Sequence, residues 1–318
     1  MSSATVHWQE RLPRVPIFLV LFTGWLLLFQ FFGNSTFGYI DTPSLYAWLA
    51  YAYESSPDDQ LGYLIPFLVV ALLWYRKDEL LEVPKQSWWP GLAVLLGAIF
   101  LHVVGFGVQQ TRVSVIAFAL GLYALIGIVW GRKMMAATFF PMLLFVFCVP
   151  LNTLAETITF PLRILVTKVS VGIGNGVLGI DVFRNGSQII DGTGKALYDV
   201  APACSGMRSL MTMAALTTIY AFISFKSWWK RGVILAAAAP LAVLGNIVRI
   251  TTVIIVGELF GTKAAGTIEQ KFGFITFIVA LGCILLIGRL LKEESTSSPK
   301  GEGTAPRPPE ATEKEALA

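Results

Sequence analysis

Charge is what this sequence has least of. Asp, Glu, Lys and Arg make up only 14% of its 318 residues, against about 25% in a soluble globular domain. Apolar side chains make up 55% and mean hydropathy is +0.68. An ordinary water-soluble enzyme is excluded, and so is disorder over most of the chain. Histidine is nearly missing: His7 and His102 stand too far apart for a histidine metal site, and no metal or other cofactor is expected. Three cysteines (Cys148, Cys204 and Cys283) cannot form a disulfide framework. The net charge of +4 is spread over short loops rather than one patch, so nucleic acid is not an expected partner. Internal repeats are absent. What remains is a multi-span membrane protein, whose first partner is the lipid bilayer.

A membrane-spanning helix needs about 20 mostly apolar residues. Runs of this kind occur at 15–33, 61–75, 89–108, 113–130, 134–150, 207–225, 232–256 and 273–290. The expected fold class is therefore an all-α polytopic membrane protein with about eight transmembrane helices. The first run is long and no small-residue cleavage site follows it, so it is expected to remain as a span. Residues 1–14 form a short N-terminal segment and 15–291 the membrane domain. Residues 292–318, rich in Lys, Glu, Pro, Ser and Thr, are expected to form a disordered tail.

Short loops rich in Lys and Arg mark the cytoplasmic face. Arg11 and Arg14 precede the first run; Arg76, Lys77, Lys85, Arg132, Lys133 and the KSWWKR turn (226–231) occupy later loops. The 34–60 loop holds Asp41, Glu54, Asp58 and Asp59 and no cation. Eight spans with both termini cytoplasmic put every basic loop on one side. The 151–206 insertion then lies outside the cell membrane. Its first half is amphipathic and interrupted by Pro161, Gly172, Gly174 and Gly176, which suggests a broken interfacial or re-entrant helix. Asn185-Gly186 between β-prone residues suggests a small hairpin lying against the bundle.

Two oddities meet near the outer boundary. Cys204 sits in VAPACSGMRSL, just before the sixth span. The positive end of that helix and the nearby Arg208 both favour its thiolate, the nucleophilic form. Ser205 and Gly206 can offer backbone N–H groups to an oxyanion. Arg249 lies inside the seventh run, two turns from its outer end, where a charge is costly and marks function by default. Asn246, one turn before it, can hydrogen-bond within the bundle. Glu258 is a candidate ion-pair partner for Arg249. Glu269 and Gln270 precede the last span and can cap it or orient a group at the Cys/Arg site. His102 lies in an apolar run, nearer mid-membrane, and reads as a structural helix histidine. Cys148 and Cys283 read as small hydrophobes.

These residues resemble the exosortase/archaeosortase family, multi-pass membrane cysteine enzymes that process C-terminal sorting signals. The matching stretches are GYLIPFLVVALLWYRK (62–77), LYDVAPACSGMRSL (197–210), GNIVRI (245–250) and the Gly273-x-x-x-Phe277 start of the last span. The resemblance covers roughly 60–290. It implies a cysteine-type peptidase or transpeptidase with Cys204 as nucleophile and Arg249 as the family's arginine. The implied substrates are secreted proteins with a PEP-CTERM-like tail: a Pro-Glu-Pro-type motif, a transmembrane helix and a basic end. The acceptor would be water or a group on the cell surface, such as a polysaccharide. Exosortase-like members suggest a bacterial inner membrane. Many members carry His where this chain has Glu269, which removes the usual general base. The alternative is a catalytically inactive scaffold or polysaccharide-export component of the same fold. A transporter fits less well, because its polar groups should line a midplane cavity.

Overall fold

The computed structural model describes residues 12–36, 40–151, 153–186, 188–191, 196–199 and 207–291. The helices are α1 (Val15–Phe32), α2 (Leu45–Ser55), α3 (Ile65–Tyr75), α4 (Lys77–Glu82), α5 (Gly91–Gly107), α6 (Thr111–Trp130), α7 (Arg132–Leu143), α8 (Thr153–Gly176), α9 (Met207–Ser224), α10 (Trp228–Phe260) and α11 (Thr262–Leu291). Short 3₁₀ turns at Gln60–Tyr63 and Leu144–Cys148 precede α3 and follow α7. Strands β1 (Val182–Asn185), β2 (Gln188–Asp191) and β3 (Ala196–Asp199) lie between α8 and α9. The chain is an all-α polytopic membrane protein carrying one small antiparallel sheet.

All eight apolar runs are helical. By length and composition α1, α6, α10 and the Phe274–Leu291 part of α11 are fit to cross a bilayer. The apolar helices α3, α5 and the Leu210–Ser224 part of α9 are shorter, at 10–17 residues. The run at 134–150 is α7 plus a 3₁₀ turn, with Pro141 inside the helix. Proline removes one backbone donor and crowds the preceding turn, and the chain tightens just beyond it. The expected tail at 292–318 lies outside the described residues.

In the first bundle α6 is the central post: it is apolar all round, and more than half of it is buried. Trp25 of α1 lies flat on Gly121, where an added Cβ would come within 1.9 Å of the indole. Its Nε1 donates to the Phe118 carbonyl at 3.0 Å. His102 is 6% exposed, its Nδ1 is 3.0 Å from Ser114 Oγ, and its ring packs on Phe29. The structural reading of that histidine holds. Cys148 is buried as well, with Tyr53 Oη donating to its carbonyl at 2.5 Å.

The basic loops gather at one end of the molecule. Arg76 pairs with Glu79 at 2.6 Å and donates to the Ala137 carbonyl, while Trp130 Nε1 donates to the Pro13 carbonyl. The hydrogen bond from Arg76 holds the Glu79 carboxyl below its usual range, and Lys226, from the loop before α10, acts in the same direction. This is the basic end; the opposite one is the sheet end.

The second bundle comprises α8 to α11 and the sheet, and it corrects the reading of the insertion. Residues 153–176 form one continuous helix rather than a broken one, with Pro161 inside it. A single proline deletes only one helical hydrogen bond, and packing of one face compensates. The hairpin is present with its turn one residue later than expected: Asn185 pairs with Gln188, and Gly186 takes φ +62°. A third strand, β3, pairs with β2 across a register shift at Ile189/Ile190; its four residues carry too little alternation to be read from sequence. The Asn175 side chain clamps β1 onto the end of α8, donating to the Val182 carbonyl at 2.8 Å and accepting from its N–H at 2.9 Å. Val182 and Ile189 are both fully buried against Val166, Val171, Ile250 and Ile254. Burying each such aliphatic side chain contributes about 1.5–3 kcal/mol.

Candidate active site

Packing inside a bilayer has no hydrophobic drive, so helices approach through small residues. Gly245 of α10 supplies one such contact, facing Thr276 and Ala280 of α11. On the other side α9 brings Met213. Together Met213, Ala242, Gly245, Asn246, Arg249, Thr276, Phe277 and Ala280 line a cleft among the three helices. Its volume is about 30 Å³, enough for water and far too small for a peptide. Asn246 is 6% exposed and Arg249 is half-buried, with its Nε shielded from solvent. Asn246, Arg249 and Thr276 all have interaction partners.

Helix length fixes the depth of this cleft. At 1.5 Å per residue, the 33 residues of α10 extend about 50 Å, well beyond a hydrocarbon core of about 30 Å. Trp228 and Trp229, both exposed, stand at its basic end as interfacial anchors. Roughly 20 residues cross the core, and that count from Trp229 arrives at Arg249. The same count from Arg289 of α11 arrives at Glu269. Arg249 and Glu269 thus occupy comparable levels, near the sheet-end boundary of the membrane.

The depth of Arg249 needs one correction. It lies three turns, not two, from the end of its helix, because α10 continues past the apolar run to Phe260. Gly261, at φ +82°, follows the last helical residue. Those extra turns stand clear of the core, so the guanidinium remains at a boundary. Glu258 lies on the opposite side of α10, is exposed, and makes no ion pair among the described residues. It is not the partner of Arg249.

Cys204, Ser205 and Gly206 lie outside the described residues, in the seven-residue link (200–206) between β3 and α9. Arg208 is the second residue of α9 and Glu269 belongs to α11, but both side chains lie outside the described residues. Glu269 is seven residues from Thr276, nearly two turns, so the two positions share a face of α11. Met213 is six residues into α9, about 9 Å from its start. Cys283 is a half-buried free thiol on α11 and Cys148 is buried in the first bundle; neither lines the cleft.

Met213 and Thr276 were not legible as site residues, since nothing distinguishes them from ordinary helix residues; Phe277 entered only through the Gly273-x-x-x-Phe277 start of the last span. The small-residue spacing Ala238, Ala242, Gly245 was the available signal for a close helix contact. A second buried cation was also missed. Arg163 of α8 is 8% exposed, its guanidinium carbon lies 5.8 Å from the Phe160 ring centroid, and its Nε has no hydrogen-bond partner among the described residues.

No curated protein and no solved structure matches this chain. A family model does: the one described as transmembrane exosortase matches residues 48–286. That stretch runs from α2 into α11 and takes in the sheet, the link that carries Cys204 and every residue lining the cleft. The chain belongs to the transmembrane exosortase family.

Proposed function

We propose that this protein is a membrane-embedded cysteine peptidase or transpeptidase that cleaves PEP-CTERM-like C-terminal sorting signals of secreted proteins. The gathering of basic loops at one end supports an orientation with that end and both termini cytoplasmic. The sheet end, with the cleft, then faces outward from a bacterial inner membrane. The observation that carries the reading is the cleft itself. Arg249, at the membrane boundary, lines it from α10, and α9, which begins three residues after Cys204 in the sequence, contributes Met213 on the other side.

The chemistry follows from these groups. Cys204 thiolate attacks the scissile carbonyl carbon, forming a C–S bond and an oxyanion. Arg249 and N–H groups at the start of α9 stabilise that oxyanion. Collapse breaks the C–N bond, and the leaving amine takes a proton. Water, or an amine or hydroxyl on a cell-surface acceptor, then opens the thioester. With no histidine in the usual place, Glu269 is the nearest candidate acid. If it serves, Glu269→Gln lowers turnover about a hundredfold and shifts the pH profile, measured as conversion of substrate precursor in membranes. Unchanged turnover removes Glu269 from the mechanism.

The proposal as a whole is tested with a membrane-impermeant thiol reagent on intact cells stripped of their outer membrane. Cys204 is expected to react quickly from outside, and processing to stop in step with labelling. A thiol that labels slowly, or labels without loss of processing, favours the inactive scaffold.

A further inference from the structure

The first bundle carries a cavity apart from the cleft. A groove of about 880 Å³ runs between α1 and α3 over a floor made by α6 and α7. Phe18 and Phe22 form one wall, Phe67 and Val70 the other, and Phe118 and Leu122 the floor. Its α6 edge extends from Val115 to Trp130, about 22 Å of helix. That is most of the core thickness. Phe67 and Val70 are 74% and 66% exposed, so the groove opens sideways into the bilayer.

Among the described residues the lining contains a single charged one, Lys77, at the basic end. Its neighbour Arg76 is committed to Glu79 and to the Ala137 carbonyl. Lys77 makes no ion pair among the described residues; its ammonium lies 4.6 Å from the Trp74 ring centroid, at the groove mouth. Asp78 and Glu79 of α4 stay out of the lining.

Two occupants of a membrane groove can be compared. Both are apolar along their length, so charge at the basic end separates them. An inserted helix brings Lys or Arg to its cytoplasmic end, placing like charge against Lys77. A phospholipid of the same leaflet brings flexible acyl chains and, if anionic, a phosphate for the ammonium. We infer that this groove is a binding site for one anionic phospholipid of the basic-end leaflet, its acyl chains extended along α6 and its headgroup phosphate on Lys77. The inference is independent of the cysteine chemistry.

Native mass spectrometry of the full chain in detergent, titrated separately with dioleoylphosphatidylglycerol and dioleoylphosphatidylcholine, tests it. The expected result is one tightly held phosphatidylglycerol, at least tenfold preferred over phosphatidylcholine. Lys77→Glu removes that preference and Lys77→Arg retains it. A second variant, Leu122→Trp, fills the groove and lowers lipid retention while leaving Lys77 in place. Equal retention of the two lipids, or a preference that survives Lys77→Glu, overturns the inference. So does a photo-crosslinker at Phe67 that captures a protein helix instead of lipid.

Discussion

Replacing Cys204 with alanine abolishes substrate processing while the chain still inserts and accumulates in the membrane. The expected loss is at least a thousandfold, because a nucleophile has no substitute among the groups around it. Neither Cys148 nor Cys283 can take over. Cys148 is buried beneath Tyr53, and Cys283, nearly two turns along α11 from Thr276 toward the basic end, is not among the residues lining the cleft. The measurement is conversion of a tagged substrate precursor, compared at equal amounts of membrane-inserted enzyme. Unimpaired conversion by Cys204→Ala would refute the nucleophile assignment outright.

The second large effect is at Arg249. Arg249→Lys preserves the charge yet is expected to lower turnover 100- to 1,000-fold, the usual cost of losing one preorganised oxyanion donor. Arginine presents a planar fork of donors on a delocalised cation, whereas lysine presents a compact, strongly hydrated point charge. At the boundary of the hydrocarbon the difference grows, because an ammonium pulls toward water. Asn246 is buried one turn away, and the sheet presses on Ile250 and Ile254 of the same helix, so the backbone around position 249 is held rigidly. A lysine there cannot recover the geometry by moving its helix. Near-normal turnover in Arg249→Lys, with substrate affinity unchanged, would take the guanidinium out of the mechanism.

Much of this was legible in the sequence, for identifiable reasons. Apolar runs of 15 to 25 residues have few folded fates, so a helix within each of the eight runs follows from hydropathy alone. Arg249 announced itself because a charge within such a run is costly. The hairpin announced itself through Asn185-Gly186. The continuity of α8 was hidden by Pro161 and three glycines, residues that punctuate chains in water but are tolerated when a helix is packed along one face. The cleft was hidden for a different reason. Met213 and Thr276 belong to it only through the pairing of α9 and α11 with α10, and helix-to-helix pairing leaves no local mark in a chain that is apolar throughout. Lys77 was read as one more cation of a basic loop. Its place at the mouth of the groove depends on how α3 and α1 stand apart.

The 33-residue helix α10 joins two things usually adjusted separately: the tryptophans that grip one leaflet and the guanidinium that rises to the other. The reach between them is set by residue count, and Pro240 is the place between them where a bend can alter it. A thicker bilayer would submerge the arginine among lipid tails, and a thinner one would lift it into bulk water. The thickness of the host membrane therefore acts as a tuning dimension for this protein, fixed by the organism's lipids rather than by any residue in the cleft.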